Sequence, residues 1–227
     1  MTVLAQGEQG RAADNRGRRP LLRGWLHAGA FLGWLIGGPF LIAAGPDAWA
    51  TAVLSVYVAG MLAMFGTSAS FHLLRWSGPA WRRMRRADHS AIFVGIASTC
   101  TAVAGLALRG WAEVFILTLA WAGAAGGIAL RQVFLDAPQW LVAVPYVVVG
   151  WCPIIVAPQL VSSLGWTGFA LMLSAGFVYT VGALVYARKR PDPWPGVFGF
   201  HEVFHTCTLV GAALFAYVVA FVALPRY

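Results

Sequence analysis

The chain has 227 residues, of which 59% are hydrophobic and only 11% are charged. Soluble domains carry about 25% charged residues, and the mean hydropathy of +0.71 excludes an ordinary soluble enzyme. We predict a multi-pass membrane protein with no separate soluble domain. The formal net charge of +8 could suggest nucleic-acid binding, but the positions of the basic residues indicate another origin, and no nucleic-acid partner is expected.

Apolar segments of about 20 residues or more follow one another along the chain, and each is long enough to cross a bilayer. They lie at 25–45, 50–73, 88–108, 111–130, 139–157, 162–186 and 198–222. The predicted fold is therefore an all-α membrane protein, a seven-transmembrane helix bundle comprising residues 23–227. Residues 1–22 are polar and rich in Arg and Gly, which is typical of a disordered tail.

The basic residues are concentrated on one side of this bundle. Fourteen of the 16 Lys and Arg residues lie in the tail and in the second, fourth and sixth links, whereas only Arg109 and Arg226 lie on the opposite side. The positive-inside rule then predicts a cytoplasmic N-terminus and an external C-terminus. One lysine against fifteen arginines points weakly to a bacterial genome, and the expected location is the bacterial plasma membrane.

Ionisable side chains inside apolar spans are costly and indicate function. His72 ends the second span, Asp88 opens the third, and His201 and His205 open the seventh. With the predicted topology, which depends only on the apolar spans and the Lys and Arg residues, all of them lie at the cytoplasmic end. Ser68 is four residues before His72 and shares its helix face.

The stretch "HEVFH" (201–205) matches the H-E-x-x-H pattern of zinc sites. Its two imidazoles lie on one helix face, and no His, Asp or Glu follows His205, so a third ligand must come from upstream. His72 is the natural candidate, and three His ligands with an open position form a catalytic type of zinc site. Asp88 could orient a ligand or act as a general base, and Ser68 could support an oxyanion.

Structural alternatives exist for each of these residues. The histidine pair could be interfacial, Asp88 could cap the third helix, and Ser68 could be a packing hydroxyl. Three further polar residues are interpreted as interfacial: His27, His89 (or a neighbour of the metal site, not a ligand) and Glu202, the last paired with an arginine at headgroup level.

Four segments together resemble one family: "RGWLH" (23–27), "SASFH" (68–72), "RRADHSAIFVGIAST" (85–99) and "GFHEVFHTCTLVGA" (199–212). They are similar to the haemolysin III family, which belongs with the progestin and adipoQ receptors and, more distantly, with alkaline ceramidases. The resemblance implies zinc bound by His72, His201 and His205, with Asp88 and Ser68 completing the site. It also implies a membrane hydrolase superfamily that acts on lipid amide or ester bonds.

Two functions are consistent with these residues. The first is a zinc-dependent lipid hydrolase at the cytoplasmic leaflet, with membrane lipids as partners and an anionic-lipid contact at the basic hairpin 75–86. The second is a receptor-like lipid sensor in which zinc is structural. A pore-forming haemolysin and an intramembrane metalloprotease rank lower, and the sequence leaves the oligomeric state open.

Overall fold

The computed structural model describes residues 20–134 and 139–227, and long helices dominate both ranges. Residues 1–19 of the predicted tail lie outside the described residues. The helices are α1 (Trp25–Ala43), α2 (Ala48–Leu73), α3 (Gly78–Ala107), α4 (Trp111–Val133), α5 (Gln139–Gly150), α6 (Ala157–Arg188) and α7 (Phe200–Tyr217). A 3₁₀ segment, Cys152–Val156, joins α5 to α6, and α7 continues as a π-helical segment, Val218–Ala223.

Within the described ranges, six helical stretches are long and apolar enough to cross a membrane. This confirms the prediction of an all-helical, multi-pass membrane protein. The count differs from the predicted seven because the fifth and sixth spans merge into one apolar stretch, Ala143–Arg188, of 46 residues.

That long stretch folds back on itself at Gly165. A straight helix of this length would extend about 69 Å, more than twice the hydrocarbon thickness of about 30 Å. Gly165 instead has φ 71° and ψ 171°, a conformation that is essentially restricted to glycine. Trp151 donates its indole N–H to the Thr180 hydroxyl at 3.0 Å, although the two residues would lie about 43 Å apart along a straight helix. Two antiparallel arms result.

Small residues bring the helices of the bundle close together. Gly60 of α2 lies against Ser98 of α3, and Gly127 of α4 lies against the Phe93 ring of α3. A methyl group at either position would overlap its neighbour, so both glycines permit close helix packing within one chain. Helix α3 is the most buried of the membrane-length helices, and α1 is the most peripheral.

Helix α3 begins ten residues earlier than its apolar span. Its N-cap is Ser77, so Asp88 lies three turns inside the helix and does not cap it. Most of the basic segment 75–86 is therefore helical, with Arg82 and Arg83 exposed and the Arg85 guanidinium over the Trp81 ring at 5.3 Å.

The opposite end of the bundle is held by Asp47, the N-cap of α2. Its carboxylate accepts hydrogen bonds from the Ala50 N–H at 2.8 Å and from the Tyr227 hydroxyl at 2.9 Å. These two hydrogen bonds hold the pKa of Asp47 below its ordinary value. The last residue of the chain is thereby attached to the start of α2.

We predict that Gly165→Ala lowers the midpoint of thermal unfolding in detergent by several degrees, because an alanine at this φ and ψ costs about 1–3 kcal/mol. No heavy atom lies near a Cβ built at Gly165, so the loss would come from the backbone alone. Gly126→Ala is the matched control, since Gly126 is helical and equally open. Equal melting temperatures for the two variants would contradict the reversal at Gly165.

Candidate metal centre

Three buried histidines from two helices meet at one end of the bundle. His72 is the penultimate residue of α2, and His201 and His205 lie in the first two turns of α7. One candidate ligand atom from each residue lies within 4.8 Å of the other two. Nε2 of His72 and Nε2 of His201 are 3.2 Å apart. The predicted convergence of His72 with the HEVFH pair is confirmed, and the group could hold a metal ion.

One nitrogen–nitrogen distance in the triad fits the radius of a transition-metal site. Two nitrogens bound tetrahedrally at about 2.0–2.1 Å from one ion lie about 3.4 Å apart, close to the 3.2 Å observed between His72 and His201. The exposed fractions of His72, His201 and His205 are 6%, 8% and 2%. Nδ1 of His205 is buried and has no hydrogen-bond partner among the described residues, whereas buried polar atoms normally have one. A bound ion would satisfy this donor set.

The first turn of α7 is fixed by its own cap, which places the two imidazoles. The Gly199 N–H donates to Glu202 Oε2 at 2.8 Å, and the Phe200 N–H donates to the Asp192 carboxylate at 3.2 Å. Since His201 and His205 are one turn apart on the capped helix, their ring centroids lie only 4.5 Å apart. The local sequence thus presents both rings toward the end of α2.

Glu202 was predicted to pair with an arginine at headgroup level, and the arginine partner is confirmed. Its side chain is fully buried, and its Oε1 accepts a hydrogen bond from the Arg23 guanidinium. Because Oε2 is bonded to the α7 cap, both carboxylate oxygens of Glu202 are engaged, which disfavours the general-base role that a metalloprotease would require.

Ser68 and Asp88 line the same cavity as His201 and His205. Both are buried. Ser68 belongs to α2, one turn before His72, whereas Asp88 is contributed by α3. Since Asp88 is interior to its helix, the capping interpretation is wrong. The carboxyl group is instead buried among polar side chains of the site.

His27 was predicted to be interfacial, and this prediction is wrong. Only 3% of it is exposed. Its ring stacks on the His205 ring with centroids 3.7 Å apart, and its Nδ1 lies 2.8 Å from the Ser68 hydroxyl. The signal that could have identified it was its position inside the first apolar span, where an imidazole needs a partner. His89 lies nearby, in contact with the Arg131 guanidinium, and is not among the three candidate ligands.

An apolar cavity leads away from the metal centre into the membrane-spanning part of the bundle. Five site residues line one end, namely His27, Ser68, Asp88, His201 and His205. The cavity follows α3 from Asp88 to Val103, which corresponds to about 22 Å of helix. Its walls include Ile92, Ile96, Val147, Trp151, Phe204 and Phe215. The polar side chains of the candidate metal centre therefore lie at one end of a cavity whose walls are mostly apolar.

Comparison with known proteins agrees with these features. The profile described as "Haemolysin-III related" matches residues 16–216. The chain belongs to the haemolysin III family.

Two curated relatives of this haemolysin III family protein come from Bacillus. The protein is 29% identical over 175 residues to the "Hemolysin-3 homolog" of Bacillus subtilis (strain 168), covering 77% of this chain and 79% of that protein. It is 32% identical over 138 residues to "Hemolysin-3" of Bacillus cereus, covering 61% of this chain and 60% of that protein. No solved structure matches the chain.

We predict that Arg23→Ala destabilises the protein by about 3–5 kcal/mol, because it leaves the buried Glu202 carboxylate without its partner. The double variant Arg23→Ala/Glu202→Gln should recover part of that loss by removing the charge. Arg188→Ala is the control, since Arg188 is exposed, and it should change stability by less than about 0.5 kcal/mol. Thermal unfolding in detergent measures all three. An unchanged Arg23→Ala variant would show that the ion pair contributes nothing.

Proposed function

We propose that this protein is a zinc-dependent hydrolase of lipid amide or ester bonds that acts at the cytoplasmic leaflet and contributes to membrane lipid homeostasis. The observation that carries the proposal is the junction of two features. A buried triad of imidazoles with Asp88 and Ser68 beside it opens onto a long apolar cavity. A substrate with a polar carbonyl group and a hydrocarbon chain matches both parts.

Zinc is the metal that this donor set favours. Three neutral imidazoles provide nitrogen ligands and leave a fourth position for water or substrate, which is the arrangement of catalytic zinc sites. When bound, zinc would polarise a carbonyl oxygen and activate water for attack. Because the triad contains no thiolate ligand, it is a poor site for the softer Cu(I) ion.

The remaining site residues have roles that follow from their contacts. Asp88 would accept the proton of the attacking water and return it to the leaving amine or alcohol. The Ser68 hydroxyl would donate a hydrogen bond to the oxygen that becomes negatively charged. The cavity along α3 would hold the acyl chain and so place the carbonyl group beside the triad.

We further propose seven spans, with the N-terminus in the cytoplasm and the C-terminus outside, in a bacterial plasma membrane. The reversal at Gly165 supports this number, because it divides the 46-residue apolar stretch into two arms. The exposed arginines at the start of α3 would then face the cytoplasm and contact anionic lipid headgroups.

Cysteine labelling tests this topology. In a variant whose native cysteines are replaced by alanine, Ala44→Cys and Trp166→Cys should react with a membrane-impermeant maleimide added outside intact cells. Ser77→Cys and Lys189→Cys should react only after the cells are opened, because their links are predicted to be cytoplasmic. Protection of Trp166→Cys in intact cells would contradict the seven-span arrangement.

A receptor-like lipid sensor with structural zinc is the second candidate. The observation that favours it is the connectivity of the site, since the triad joins α2 to α7 and His205 stacks on His27 of α1. A pore, which the names of the Bacillus relatives suggest, ranks lower because the imidazole and carboxyl groups of the cavity gather at one end, while the walls further in are mostly apolar and carry no charged side chain.

Metal content and lipid turnover distinguish the two candidates. Protein purified in mild detergent should contain about one zinc per chain, and His201→Ala should lose it. Asp88→Asn should keep the zinc and release fatty acid from lipid substrates about 10²- to 10⁴-fold more slowly. Amide and ester lipids, supplied as a bacterial lipid extract and as a ceramide, would be assayed by mass spectrometry. Zinc without turnover, together with a fall in melting temperature on chelation, would favour the sensor. Absence of zinc after reconstitution would contradict both candidates.

A further inference from the structure

Helix α1 has one fully buried side chain that is larger than the hydrogen of glycine. Its outer surface is lipid-facing, with 68% of Ile36 and 75% of Phe40 exposed. Its only fully buried residues are His27 and Gly38. The apolar side chains of α1 that pack against the core are only partly buried. An imidazole is an expensive group to bury at this position, so His27 needs an explanation other than packing.

The His27 ring contacts two residues of the proposed site, one through its Nδ1 and the other through its face. Its Nδ1 is 2.8 Å from the Ser68 hydroxyl. Its ring lies parallel to the His205 ring, with an interplanar angle of 11° and centroids 3.7 Å apart. The Phe65 ring contacts the His27 ring edge-on at 5.1 Å. His27 is thus held in one orientation, and it reaches both the serine and a candidate metal ligand.

Among the described residues, the Ser68 hydroxyl has its side-chain hydrogen bond with Nδ1 of His27, and the imidazole tautomer decides which of the two groups donates. In either tautomer, this contact restricts the rotamer of the Ser68 hydroxyl. The hydroxyl lines the same cavity as Asp88. His27 lines the cavity with its Nε2 buried and without a hydrogen-bond partner among the residues described.

The backbone before α1 is anchored so that His27 has little freedom to move. Arg23 pairs with Glu202, the residue after His201. Gly24 has φ 87° and lies so close to α2 that a Cβ there would be 2.7 Å from the Cβ of His72. The N–H groups of Leu21 and Leu22 donate to the carbonyls of Gly196 and Val197, at 3.1 and 3.2 Å, in the link before α7. The start of α1 is therefore attached to both ligand-bearing helices.

We propose that His27 is a positioning residue, which orients the Ser68 hydroxyl through Nδ1 and fixes the plane of the His205 ring by stacking. The role assigned to Ser68 rests on the proposed hydrolase function, whereas the effect on His205 concerns metal binding alone. Groups that orient metal ligands typically contribute about 10- to 100-fold to affinity or activity.

Two substitutions separate the two contacts. His27→Phe keeps a flat ring for stacking and removes the hydrogen bond to Ser68. His27→Asn keeps a donor near the position of Nδ1 and removes the ring. Ser68→Ala and the double variant His27→Phe/Ser68→Ala complete a double-mutant cycle. If the two residues act as one unit, their losses of hydroxamate affinity are not additive.

Two of the measurements do not require the protein to hydrolyse a lipid. The visible absorption spectrum of the cobalt-substituted protein reports the geometry of the ligands, and a C16 alkyl hydroxamate probes the metal and the Ser68 hydroxyl together. We expect His27→Phe to keep the cobalt spectrum and to bind the hydroxamate about 10-fold more weakly, as Ser68→Ala does, with no further loss in the double variant. His27→Asn should change the cobalt spectrum and lower zinc affinity by about 10-fold. If lipid turnover is found, kcat should fall in His27→Phe while KM stays unchanged.

The opposite results would overturn the proposal. Wild-type hydroxamate affinity in His27→Phe, or additive losses in the double variant, would show that His27 does not act through Ser68. A wild-type cobalt spectrum in His27→Asn would show that stacking does not hold His205. Failure of the hydrolase proposal would look different, with metal bound and the cobalt and hydroxamate differences present but no lipid hydrolysed.

Discussion

Burying several ionisable side chains at one end of a membrane bundle requires every one of them to find a partner within the protein, because lipid offers none. The structure meets much of this requirement with contacts between elements that are distant in sequence. Glu202 pairs with Arg23 across 179 positions, and His205 stacks on His27. The start of α1, the end of α2 and the start of α7 are thereby joined. The polar cluster that carries the candidate chemistry is also what holds this end of the bundle together.

Close helix packing makes such a cluster possible. Gly60 of α2 and Gly127 of α4 lie against α3, so the backbones of these three helices approach closely. The reversal at Gly165 acts on a larger scale, since it returns α6 alongside the arm that contains Trp151. Residues of both arms then line the cavity with α3 and α7. A straight helix in place of this hairpin would leave the cavity without one wall.

The position of the site relative to the cavity gives the proposed chemistry its physical basis. The candidate metal ligands, the carboxyl group and the serine lie at one end, and the apolar walls extend about 22 Å along α3 from there. An amphipathic molecule would bind in one orientation, with its polar group at the histidines and its chain among the apolar side chains. A water-soluble substrate would gain nothing from such a channel. This asymmetry distinguishes the site from a conducting pore, in which polar groups line the whole path.

Much of the site was visible in the sequence, because charged and imidazole side chains in apolar spans stand out against their surroundings. This contrast was sufficient to identify His72, His201 and His205 as one group and to place Ser68 and Asp88 with them. The sequence by itself therefore determined the class of protein, the approximate spans and the candidate ligands. Only the tertiary structure decided that His27 belongs to the site, that Glu202 is buried, and that α3 begins at Gly78. It also revealed the single glycine at which the 46-residue stretch turns. The physical reason is that spans and spacings are local properties of the chain, whereas the partner of a buried group is chosen by helix packing between residues far apart in sequence.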